Sequence, residues 1–209
     1  MSKASGGFAK LETIVPFNEP RADAPAVTAI RGILLVASLQ ALRDLDLFDS
    51  YIRLLPDEFH QPILTAVTSS DIPLPIAMAH YGACDRLGLA PSEIQKIGKR
   101  VGEKAIVKVL ATLGTLARGA GVTPWTGLGA MARLWARLFE GGNVCVMKVG
   151  PKDARVVVEK VPLARIAYFR NSFLGVNEVC FAPFTRRVVI NDQYSSKEPE
   201  VLGYLAAWV

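Results

Sequence analysis

Apolar residues recur with helical spacing over the first two thirds of the chain, and the spacing turns to alternation after residue 142. Ile30, Ile33, Leu34, Ala37, Ala41, Leu42 and Leu45 fall three or four residues apart. They predict a helix with one buried stripe, opened by Pro25 in a first turn where its missing N–H costs nothing. Between Leu47 and Val67, Pro56 and Pro62 cut the pattern into one or two brief helices. Ser69, Ser70, Asp71 and Pro73 reopen a helix whose apolar side is Leu74, Ala77, Met78, Tyr81 and Cys84, ending near Gly88. A further helix starts at Ser92, which pairs with Gln95 as a capping box. Gly98 and Gly102 share one side of it and predict close approach of a neighbouring backbone. After a break at residues 119–123, Thr123 caps and Pro124 opens a helix with the stripe Leu128, Met131, Trp135, Leu138 and Phe139. Arg133 and Arg137 lie on its wet side, and Gly141-Gly142 stops it.

The valine-rich runs 144–149 and 154–161 alternate and are joined by Gly150-Pro151-Lys152-Asp153, which reads as a hairpin. Pro162 starts a helix through Ile166, Phe169, Phe173, Leu174 and Cys180, ended by Pro183, and residues 186–191 and 201–209 read as two more strands. The expectation is an α+β fold. A flexible arm, 1–25, precedes a single domain, 26–209, whose helical part, 26–140, packs on a four-stranded antiparallel sheet. The sheet part, 143–209, is a strand-strand-helix-strand-strand unit.

Hydrophobic residues make up 51% of the 209, against 21% charged, and mean hydropathy is +0.28. Lys108, Arg118, Arg133 and Arg137 interrupt the most apolar stretch, so no membrane span is expected. Residues 1–7 lack the apolar core of a secretory signal, and the three cysteines, Cys84, Cys145 and Cys180, have no paired spacing. Both features point to a cytoplasmic protein with reduced thiols. The net charge of +5 comes from interspersed signs, which makes nucleic acid an unexpected partner.

The chemistry-bearing motifs are few. Residues 127–132, Gly-Leu-Gly-Ala-Met-Ala, mimic a dinucleotide fingerprint but follow a helix start instead of a strand. Gly98-Lys99-Arg100 lacks the serine or threonine of a phosphate loop. The chain has two histidines, His60 and His80. His80 and Cys84 share a helical face and would make half of a zinc site, but no spacing supplies further ligands. A helix-rich half with large apolar residues also offers room for haem, with His80 or His60 as axial ligand. No Gly-x-Ser-x-Gly elbow occurs, and the pairs Asp44/Asp46 and Asp57/Glu58 fall in charged segments. No catalytic residue and no resident cofactor or metal is therefore expected. Large apolar side chains remain: Met78, Tyr81, Trp125, Trp135, Phe139, Phe169 and Phe173 either fill the core or line a hydrophobic cavity or dimer face.

The element order resembles the fold shared by 4-vinyl-reductase-type domains, haem-dependent nitric-oxide-binding domains and TRAPP vesicle-tethering subunits. From about Ile30 onward the chain also resembles a family of myxobacterial proteins of similar length. That resemblance rests on Arg31-Gly32-Ile33-Leu34, on the Gly150-Pro151 hairpin with its Ala-Arg-Val strand, and on residues 173–178, Phe-Leu-Gly-Val-Asn-Glu. The last segment matches a family helix in which a small residue lets the helix cross the sheet closely. The resemblance implies dimerisation or binding of small hydrophobic molecules. The chain lacks both a Tyr-x-Ser-x-Arg segment and a cysteine cluster, so no functional residue is carried over. The expected function is a non-catalytic ligand-binding or sensory module, forming a homodimer and holding an apolar molecule. The alternative is a protein-interaction or scaffold subunit.

Overall fold

The computed structural model describes residues 15–16, 23–106, 123–192 and 198–209. Most of the expected arm, the break before Thr123 and much of the loop before Pro199 lie outside them. The fold is α+β, as the periodicities imply. The helical part contains α1 (Gly32–Arg43), α2 (Phe48–Leu54), α3 (His60–Leu64), α4 (Leu74–Asp85) and α5 (Pro91–Ala105). Two shorter helices follow, α6 (Pro124–Gly129) and α7 (Met131–Leu138), and α8 (Ala167–Phe181) lies between the strands of the C-terminal unit.

Strands β5 (Asn143–Gly150), β6 (Asp153–Glu159), β7 (Val188–Asp192) and β8 (Leu202–Trp208) form the expected four-stranded antiparallel sheet. The two-residue strand β1 (Val15–Pro16) adds a fifth at the edge, through Lys148 and Met147 of β5. The order is β1-β5-β6-β8-β7. Alternation sends Val144, Val146, Val156, Val158, Leu202, Tyr204 and Ala206 to the buried face. That face is covered by α8, as the Phe173–Tyr204 ring contact at 6.1 Å marks.

A second, three-stranded sheet was not expected. Its order is β3 (Asp71–Pro73), β2 (Ala29–Arg31), β4 (Phe139–Glu140). It displaces the helix start from Pro25 to Gly32, because the backbone donors before Gly32 are taken by other segments. Thr28 N–H donates to Glu140 O at 2.9 Å, and Gly32 N–H donates to Ser70 O at 2.7 Å. The expected single helix from Thr123 to Phe139 is likewise split at Ala130, and Phe139 belongs to β4. The start of α5 also moves: Pro91 opens it, and the Glu93 carboxylate accepts from Ala90 N–H at 2.8 Å, in place of a Ser92–Gln95 box.

The close approach predicted at Gly98 is real, and its partner is α8. A Cβ on Gly98 would lie 2.0 Å from Ser172 O, and one on Gly175 would lie 2.1 Å from Gln95 O. The two helices thus cross backbone to backbone, each glycine against the other helix. Gly175 therefore serves a helix–helix crossing rather than the helix–sheet crossing that the resemblance implied.

Candidate functional site

Helices α1, α4, α5, α7 and α8 and the inner face of β5 and β6 enclose a cavity of about 50 Å³. Its apolar wall is built by the stripes that fold these elements. Leu34 comes from α1, Ile97 and Val101 from α5, Leu134 and Leu138 from α7, and Val156 and Val158 from β6. Of the seven large apolar residues singled out from the sequence, five meet here: Tyr81, Trp135, Phe139, Phe169 and Phe173. Trp135 and Phe139 stack at 3.8 Å, and Tyr81 meets Phe169 edge-on at 4.8 Å. The Trp135 indole N–H donates to Gly141 O at 2.8 Å, so the turn after α7 orients the ring.

The other two lie elsewhere. Trp125 donates from Nε1 to Pro151 O at 3.1 Å and packs edge-on against Trp208, bracing α6 on the hairpin turn. Met78 is half-buried on α4 at the edge of the core.

The sequence pattern did not reveal most of the polar part of the wall, Ser38, Tyr168, Ser172 and Asn177, which join the thiol of Cys180 from the predicted stripe. Most of these groups are satisfied within the protein. Ser172 Oγ donates to Phe169 O at 3.2 Å, and Asn177 Nδ2 donates to Phe173 O at 2.8 Å. Asn177 Oδ1 accepts from the Tyr204 hydroxyl at 2.7 Å. Tyr168 differs. It is 1% exposed, and its backbone N–H is fixed by the Asp85 carboxylate at 2.7 Å. Its hydroxyl faces Ser38 and Cys84 without reaching hydrogen-bonding geometry with either. Among the described residues two buried side-chain polar atoms lack a partner, Arg155 Nε and Tyr168 Oη, and only Tyr168 borders the cavity.

Every titratable group of the wall is held neutral by burial. Desolvation pushes the Cys180 thiol up to about 12 and raises the Tyr168 phenol well above its ordinary value. No Lys, Arg, His, Asp or Glu stands among the lining residues described.

Neither histidine reaches the cavity. His80 is fully buried on α4, with Nδ1 2.8 Å from Tyr51 Oη and Nε2 3.0 Å from Ser38 Oγ. Cys84 Sγ is 3.9 Å from Nε2, and no third metal-binding side chain joins the pair among the described residues. Desolvation lowers His80 to about 3, so the ring is neutral. His60 is half-buried, its Nε2 3.0 Å from Leu55 O and 3.8 Å from the exposed Asp57 carboxylate.

No family profile and no curated protein matches the sequence. The fold, however, is H-NOX-like. An Fe(II) unliganded H-NOX protein from K. algicida superposes with a TM-score of 0.62 at 10% identity, over 86% of this chain and 97% of that one. An oxygen-binding H-NOX domain related to soluble guanylate cyclases, solved as its oxygen complex, gives 0.54 at 14% identity, over 86% and 95%. A structure from work on haem redox potential and porphyrin distortion gives 0.55 at 15% identity, over 86% and 100%. No helix among the described residues is long and apolar enough to cross a membrane.

The described residues of the cavity do not fit haem. Pockets that bury ligands of drug or cofactor size measure about 300–1,000 Å³, several times this cavity. Both ring nitrogens of His80 are engaged, and His60 lies away from the cavity. Tyr168 and Cys180 are held in the protonated forms that ligate iron poorly. Among the described lining residues no basic side chain is placed to pair with propionates.

Proposed function

We propose that this chain is a non-catalytic ligand-binding or sensory module that holds one small, largely apolar molecule between its helical part and its sheet, without haem. The observation that carries this reading is the cavity itself, walled by Tyr81, Trp135, Phe139, Phe169 and Phe173 and free of charged groups among the described lining residues. A nucleophile–base pair is missing among the described lining residues, which argues against hydrolytic chemistry there. The fold supports the reading by analogy, since a solved neighbour is described as oxygen-binding.

The size of the space sets the size of the guest. At about 10–15 Å³ for each water-sized sphere, 50 Å³ corresponds to about four heavy atoms. Methyl-labelled protein titrated with xenon tests the proposal by NMR. Saturable shifts confined to methyls of Leu34, Val156 and Val158 are expected. Shifts that grow linearly and spread over surface methyls would contradict it.

A further inference from the structure

The unpartnered hydroxyl of Tyr168 narrows the class of guest, an inference that rests on the cavity reading above. A phenylalanine at 168 would fill the same space without a polar atom. The tyrosine instead keeps an O–H donor inside the protein beside Ser38 and Cys84, with no partner in hydrogen-bonding geometry among the described residues. Buried donors without an acceptor are rarer in proteins than under-satisfied acceptors, because a donor has one proton to place and loses it from water entirely. Elsewhere on the wall, the Ser172 hydroxyl proton is placed on Phe169 O and one Asn177 amide proton on Phe173 O.

Ser38 Oγ stands beside the same hydroxyl and is already engaged by His80 Nε2 at 3.0 Å. That engagement ties the polar end of the cavity to the core of the helical part. The opposite wall is aromatic and aliphatic. A guest that matches both ends has a small hydrocarbon body and one accepting oxygen. Net charge is disfavoured on either sign, since no lining residue described would pair with it.

We infer that the cavity takes a small neutral oxygen compound of about four heavy atoms, a short ketone, aldehyde or ether, whose oxygen accepts the Tyr168 hydroxyl proton. The bond is non-covalent, and nothing is oxidised or transferred.

Acetone, xenon and acetate are the probes, applied to the full chain and to Tyr168→Phe with methyl NMR shifts as the readout. Acetone is expected to saturate on the full chain and to lose about tenfold or more in affinity in Tyr168→Phe, the loss of one buried hydrogen bond. Xenon should bind both proteins alike, and acetate neither. Equal acetone affinity in the two proteins overturns the inference. Xenon bound by both with acetone bound by neither sinks this inference and leaves the cavity reading standing. Xenon bound by neither sinks both. If Tyr168→Phe does not fold, the Tyr168 hydroxyl proton resonance of the full chain decides, since acetone must shift it and xenon must not.

Discussion

His80 Nδ1 and Tyr51 Oη lie 2.8 Å apart, and both side chains are fully buried. With Nε2 engaged by Ser38, the imidazole joins α1, α2 and α4 through its two nitrogens. Desolvation lowers its folded pKa from 6.5 to about 3. The unfolded chain therefore takes up a proton as pH falls through 6.5, and the folded chain does not until about 3. Stability from this group is complete above 6.5 and declines as pH falls toward 3. By pH 5 the decline is about 2 kcal/mol. Urea denaturation at pH 7 and pH 5 measures it, and His80→Gln should show about 2 kcal/mol less difference between the two pH values.

The crossing of α5 and α8 depends on two glycines that face each other's backbone. Gly98→Ala or Gly175→Ala drives a methyl into a carbonyl oxygen and should cost about 3 kcal/mol or more, since neither backbone can yield without moving a whole helix. Gly82→Ala on α4 is the control. Its Cβ would meet only the Arg86 guanidinium, at 3.8 Å, so the helix should gain about 0.5–1 kcal/mol. Equal losses at all three positions would contradict the crossing geometry.

Tyr168 and Tyr204 are both buried phenols with opposite hydrogen-bond status. Tyr204 donates to Asn177 Oδ1 at 2.7 Å, whereas Tyr168 Oη has no partner among the described residues. In ligand-free protein, Tyr168→Phe should stabilise by about 1 kcal/mol, because an uncompensated donor is removed. Tyr204→Phe should destabilise by about 1–2 kcal/mol. Thermal denaturation of both variants checks the signs, and a loss in both would show that Tyr168 has a protein partner.

These opposed roles mark where the sequence stops being informative. Helical spacing on α4 and α8 and valine alternation on β5 and β6 were readable because burial of one face dictates them. The same spacing placed Tyr81, Phe169 and Phe173 on buried stripes. β2 was hidden, since an Ala-Ile pair reads equally well as a helical stripe and its pairing partners, residues 71–73 and 139–140, are remote in sequence. Trp125 and Met78 satisfied the same apolar criterion as the cavity residues. Only tertiary packing separates a ring that braces the hairpin from one that walls a cavity. The polar end does leave a signal in the sequence: Ser38 interrupts the stripe Leu34, Ser38, Leu42 at intervals of four. A hydroxyl on an apolar stripe needs a buried partner, and His80 supplies it.

The proposed function leaves haem out of the interior. Haemin added to the purified chain should give the broad absorption of loosely associated haemin, without saturation at one equivalent. A sharp Soret band saturating at one equivalent and lost in His80→Gln would mean that the ring leaves Tyr51 and Ser38 and the interior opens to several times its volume.

The most direct measurement is a crystal structure of the full chain under xenon pressure. The account predicts one ordered xenon enclosed by Tyr81, Phe139 and Phe169, close to Tyr168, with the surrounding backbone unmoved. Side chains collapsed into that space, with xenon only at the surface, would contradict it.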